Sequence, residues 1–105
     1  MILENDLNME AKMSIYLSEK CKKITRKFIN KNTYDIFKNK VEEIDAPDYY
    51  SVIKEPMWLT EIIKKIKNGS YSKLSQYVYD MNLIWSNAIK YNTENSIIGI
   101  LAKCG

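Results

Sequence analysis

The sequence predicts an all-α fold, a bundle of four helices, on three observations. Apolar residues recur at helical spacing in separate stretches of the chain. No two segments alternate with period two around a tight turn, so nothing reads as a strand pair. Only three Gly and two Pro interrupt 105 residues, which leaves room for long regular elements.

The first helix is predicted over 9–29. Met13, Leu17, Cys21, Ile24 and Phe28 recur at steps of 4, 4, 3 and 4 and form one apolar stripe, with Asp6 or Asn8 available to cap its start. Lys20, Lys22, Lys23, Arg26 and Lys27 occupy the opposite face. The second helix covers 59–68, where Leu59, Ile62, Ile63 and Ile66 share a face and Asn68-Gly69 gives the stop. Ser70 or Ser72 caps the third helix, 73–91, whose stripe runs through Leu74, Tyr77, Val78, Met81, Ile84 or Trp85, and Ala88. After the polar turn 92–95, Ser96 caps a last helix, 96–103, carrying Ile97, Ile98, Ile100 and Leu101. Two turns are marginal for a helix, so the natural chain is expected to continue past Gly105. Residues 1–8 read as an extension and 9–105 as one domain.

The connection 30–58 is unusual. Loops beyond about 12–15 residues are uncommon in compact domains and tend to be functional or disordered. This one carries Tyr34, Phe37, Val41, Tyr49, Tyr50, Ile53, Met57 and Trp58, so it should fold back on the bundle and enclose a pocket.

Composition narrows the chemistry. The chain has no His, which removes Ser-His and Cys-His nucleophilic machinery and Cys/His zinc sites. No phosphate-binding glycine motif is present. Glu42 and Glu43 are adjacent and show no acid/base geometry, so no enzyme activity, cofactor or metal is expected. Cys21 and Cys104 read as free thiols. No segment approaches 18 uninterrupted apolar residues, and MILENDLNME lacks a basic stretch followed by an apolar run, so neither a membrane span nor a secretory signal is read. The net charge of +3 is too mild to indicate nucleic acid by itself. Nothing argues for more than a monomer.

Two segments carry a family resemblance. APDYYSVIKEPMWL (46–59) resembles the bromodomain signature of Pro-x-Tyr-Tyr, then Val-Ile, then Pro-Met-x-Leu. DMNLIWSNAIKYN (80–92) resembles that family's third-helix segment, which ends in Tyr-Asn. Order and spacing both fit, and the resemblance covers about residues 9–104. It implies a left-handed four-helix bundle of helices Z, A, B and C, with 30–58 as the ZA loop and 92–95 as the BC loop. It also implies a pocket between those loops that binds acetyl-lysine.

The resemblance assigns Asn92 as donor to the acetyl carbonyl and Tyr49 as holder of a bridging water. Phe37 becomes the pocket floor, and Val41 and Tyr91 its walls. Ile98 becomes the gatekeeper of the last helix, and Met57 and Ala88 the pocket base. The chemistry fits. Acetylation removes the lysine charge and adds an acceptor, so a reader needs an apolar slot with one good donor and no carboxylate. By itself, Asn92 also suits a helix C-cap.

Three departures from the family pattern stand out. The loop's Trp-Pro-Phe is here Asp35-Ile36-Phe37, Lys40 replaces a Pro, and Trp58 replaces the Asp that caps helix A, leaving Thr60 to cap one turn later. Residues 38–55 carry five acids and three Lys, an acidic rim suited to a Lys/Arg-rich tail. The resemblance thus implies a nuclear reader of acetylated histone tails or other acetylated proteins, active in chromatin and transcription regulation. Two alternatives stay open. One is a bromodomain-like interaction scaffold with a degenerate pocket. The other is weak DNA contact through Lys20, Lys22, Lys23, Arg26 and Lys27, a run that otherwise reads as a solvated face.

Overall fold

The computed structural model describes residues 10–42, 44 and 46–92. Among these the regular elements are all helices, with α1 at Ile15–Ile29, a single-turn α2 at Tyr49–Val52, α3 at Leu59–Lys67 and α4 at Leu74–Tyr91. A 3-10 turn, Asn32–Phe37, follows α1. The expected last helix, Ile98 and Cys104 lie outside the described residues.

The first helix starts later than its apolar stripe suggests. Ser14 is its N-cap, its hydroxyl accepting from the Leu17 amide at 3.1 Å. The preceding residues are extended. The Met13 amide donates to the Ser72 carbonyl and the Leu74 amide to the Ala11 carbonyl, each at 2.9 Å, so 11–13 pairs with the entry to α4. Met13 still packs against the core, which is why the stripe reads as continuous although the helix is not.

The other two starts are also capped differently from expectation. Neither Ser70 nor Ser72 caps α4. Gln76 Oε1 reaches back to accept from the Ser72 and Lys73 amides at 2.6 and 3.2 Å, satisfying donors that the helix leaves open. At α3, the Thr60 hydroxyl donates to Asn39 Oδ1 at 3.3 Å and does not cap. The Thr60 amide instead donates to the Lys38 carbonyl at 3.0 Å, so the long loop supplies the acceptor that Trp58 cannot. The end of α3 matches its sequence. Gly69 (φ 70°) donates to Ile66 and Ser70 to Lys65, the paired bonds of a Schellman stop, and the left-handed residue is the glycine.

The core lies between α1, α3 and α4. Leu59, Ile62 and Tyr77 are fully buried, and Val78, Met81, Ile84 and Trp85 nearly so. Burying each such side chain contributes about 1.5–3 kcal/mol. Two polar junctions fix how the helices meet. Between α1 and α4, the Thr25 hydroxyl donates to the Cys21 carbonyl at 2.8 Å and lies 2.9 Å from the Tyr77 hydroxyl. Between α3 and α4, buried Asp80 accepts from Lys65 Nζ at 2.5 Å and from the Tyr71 hydroxyl at 2.6 Å. Removing one partner of such a pair is costly, because it leaves the other buried and unpaired.

The loop is not structureless. Its 3-10 turn buries Tyr34 and Phe37, and α2 buries Tyr49. Both sit over the C-terminal half of α4, where they position the site.

Burial pushes the Cys21 thiol up from 9.0 to about 11, and burial likewise raises Tyr71 and Tyr77. These groups stay neutral in the fold while the unfolded chain ionises them at ordinary values. The stability they contribute is therefore complete below about pH 8 and declines as pH rises toward 11. Urea midpoints recorded between pH 7 and 11 should fall through that window. A flat profile would contradict the burial of Cys21.

Candidate functional site

A cavity of about 550 Å³ opens between the long loop and the end of α4, within the size range of small-ligand sites. From α4 come Ile84, Ala88 and Tyr91, one helix face at i, i+4 and i+7, with Asn92 at the C-cap. The loop supplies the other wall: Ile36 and Phe37 from the 3-10 turn, then Val41, Tyr49 and Tyr50, and Pro56, Met57 and Trp58 before α3. Asp35, Asn39, Lys40, Glu42 and Ala46 complete the lining.

Seven residues expected at the site from sequence therefore line one cavity: Phe37, Val41, Tyr49, Met57, Ala88, Tyr91 and Asn92. The eighth, Ile98, lies outside the described residues.

Phe37 is anchored from behind, its ring 5.2 Å from that of Trp85, so the floor belongs to the core as well as to the cavity. Tyr49 is buried, with Tyr50 and Tyr91 packed on it at ring distances of 5.2 and 4.9 Å. Burial, with a smaller contribution from Tyr50, raises Tyr49, so its phenol remains a neutral donor at physiological pH. Among the described residues the Tyr49 hydroxyl makes no hydrogen bond. The other two tyrosines are tied. Tyr50 donates to the Val41 carbonyl at 2.6 Å and braces the loop. Tyr91 donates to Asp48 Oδ1 at 2.5 Å, a bond that raises its own pKa and latches the loop to α4.

Asn92 serves as the C-cap and also lines the cavity. Its Nδ2 donates to the Ala88 carbonyl at 3.0 Å, closing the last turn and setting the orientation of the amide. An amide nitrogen carries two protons and its oxygen accepts, so this bond leaves one N–H for a ligand.

The three departures from the family pattern all reach the cavity. Trp58 is half-buried in its wall and replaces lost capping with apolar surface. Lys40 holds its ammonium 6.0 Å above the Tyr50 ring. Asp35 is exposed at the mouth.

Sequence reasoning missed some contributors. Ile84 reads as core from its place in the apolar stripe, although its spacing from Ala88 also puts it on the site face. Asn87 was not singled out. It is buried, and its Nδ2 donates to the Glu55 carbonyl at 2.8 Å, pinning the end of the loop to α4. The Glu55 carboxylate in turn accepts from the Tyr79 hydroxyl. No sequence signal pairs positions 32 residues apart. Among the described residues no group of His, Cys, Asp and Glu could hold a metal, and no helix is long and apolar enough to cross a membrane.

Fold and cavity define a small helical binding module, with an aromatic-lined slot and a fixed amide donor at its edge. The chain belongs to the bromodomain family, whose model matches residues 21–103. Over 58 residues it is 50% identical to the SAGA complex subunit Spt7 of Schizosaccharomyces pombe, a match covering 55% of this chain and 6% of that protein. The SAGA complex subunit SPT7 of Saccharomyces cerevisiae is 36% identical over 81 residues, 76% of this chain and 6% of its own length. The chain thus spans a small fraction of both relatives. The bromodomain of human BAZ1A superposes with a TM-score of 0.78 at 23% identity, over 90% of this chain and 86% of that one, and shares its fold. Bromodomains are generally acetyl-lysine readers in chromatin proteins, and the module is a binding one, not a catalytic one.

The Asn87 amide should matter to the loop. Asn87→Ala leaves the Glu55 carbonyl without its donor and should cost about 1–3 kcal/mol in urea unfolding. Stability within a few tenths of a kcal/mol of wild type would show that this bond does not hold the loop.

Proposed function

We propose that this chain reads acetylated lysine on histone tails in the nucleus, binding the modified side chain in the cavity between loop and α4 and catalysing nothing. One observation carries the reading: Asn92 sits at the edge of an apolar cavity with one amide proton committed to Ala88 and another left to donate. Phe37, Val41, Tyr91, Met57 and Ala88 offer the acetyl group and the lysine stem an apolar slot. An unmodified ammonium would lose its hydration against these five side chains, none of which carries a charge to meet it. Tyr49, with its hydroxyl unengaged, suits a water bridging to the acetyl carbonyl. Ile98 is assigned the gatekeeper position by the family pattern.

The alternative, an interaction scaffold with a degenerate pocket, draws on Asp35, Lys40 and Trp58. Against it stands the size of the cavity and the apolar contribution that Trp58 makes to the wall. A second surface favours a weak contact to DNA phosphates: Lys20, Lys23, Arg26 and Lys27 are exposed along α1, and Lys22 is engaged by Glu19 at 3.1 Å. Such a contact is independent of acetylation and falls steeply with salt.

A single acetyl-lysine offers few atoms, and a flexible tail loses entropy on binding, so Kd should lie on the order of 10–1000 μM, roughly −7 to −4 kcal/mol. Calorimetry with paired acetylated and unmodified histone-tail peptides tests the reading. Only the acetylated member should bind, and Asn92→Ala should weaken it by about 1–3 kcal/mol. Binding that ignores acetylation, or survives Asn92→Ala intact, would refute it.

A further inference from the structure

The mouth of the cavity carries charge that the acetyl group does not need. Asp35 and Glu42 both line it and both are exposed. Among the described residues neither carboxylate has a hydrogen bond or an ion pair, while Asp48 is engaged by Tyr91 and Glu55 by Tyr79. The one cation in the lining, Lys40, is held over the Tyr50 ring and pairs with neither.

Asp35 is also well placed to act. It belongs to the 3-10 turn whose neighbours Tyr34 and Phe37 are buried against Trp85, so its backbone is fixed by the core. A short side chain on a fixed backbone loses little entropy on pairing. Beside it Ile36, half exposed, offers apolar surface to the stem of a long side chain. A carboxylate next to an apolar ledge, at the mouth of an apolar slot, matches the two parts of an arginine or lysine.

We infer that this cavity selects acetyl-lysine with a cationic residue within two positions of it, through Asp35 supported by Glu42 and Ile36. This rests on the acetyl-lysine reading and adds the sequence context of the target. The pairing is exposed, so it contributes modestly, at about two- to five-fold in affinity, and it weakens as salt rises.

The test uses two acetyl-lysine peptides that differ at one flanking position, arginine in one and its neutral isostere citrulline in the other. Their affinities are compared by fluorescence anisotropy at low and high salt. The arginine peptide should bind about two- to five-fold tighter at low salt, with the ratio shrinking at high salt. The ratio should approach one in Asp35→Asn and persist in Asp35→Glu. Equal affinity for wild type would overturn the inference while leaving the acetyl-lysine reading intact. A preference that survives both Asp35→Asn and the double variant with Glu42→Gln would overturn the assignment to these carboxylates. If neither peptide binds, the acetyl-lysine reading fails and this inference fails with it.

Discussion

Trp85 of α4 sits where three other rings converge: Phe28 from the end of α1 at 5.3 Å, and Tyr34 and Phe37 from the following turn at 5.8 and 5.2 Å. Each aromatic contact adds about 0.5–1.5 kcal/mol beyond simple burial. The position of this cluster matters more than its strength. A long connection costs entropy to hold in one conformation. By tucking Tyr34 and Phe37 under α1 and against α4, the chain fixes the first part of the loop to the core, and the remainder then has a fixed starting point.

The loop then completes the helices as they complete it. The Lys38 carbonyl satisfies the first turn of α3, whose own cap position holds Trp58. Asn87 of α4 holds the Glu55 carbonyl, and Tyr91 holds Asp48. Between these ties and α4 lies the cavity. Its chemistry is inherited from the same contacts. Phe37 is floor and core at once, and Asn92 is helix cap and candidate donor at once.

Much of this was legible in the sequence, for reasons that differ by element. The faces of α3 and α4 follow from residues recurring at helical spacing, and the stop of α3 from Asn68-Gly69. The sequence places the start of α1 too early because Met13 keeps the apolar period while its backbone is extended and pairs with Ser72. The capping of α4 by Gln76 is hidden in the sequence by two nearby serines, the more usual capping residues. The 3-10 turn and the single turn of α2 are too short to show a period. At the site, Asn92, Tyr49, Phe37 and Val41 were legible through motif resemblance. Asn87 and Asp48 were not, because their partners lie 32 and 43 residues away and meet only once the loop has folded.

Acetyl-lysine binding in the loop–α4 cavity is the proposal on which the rest depends. Amide chemical shifts recorded while the chain is titrated with N-acetyl-lysine methylamide test it most directly, because the probe carries no peptide context. Shifts confined to Phe37, Val41, Tyr49, Ala88, Tyr91 and Asn92 and their neighbours, with α1 and the exposed face of α3 silent, are the predicted result. Shifts clustered elsewhere, or none at millimolar probe, would contradict it.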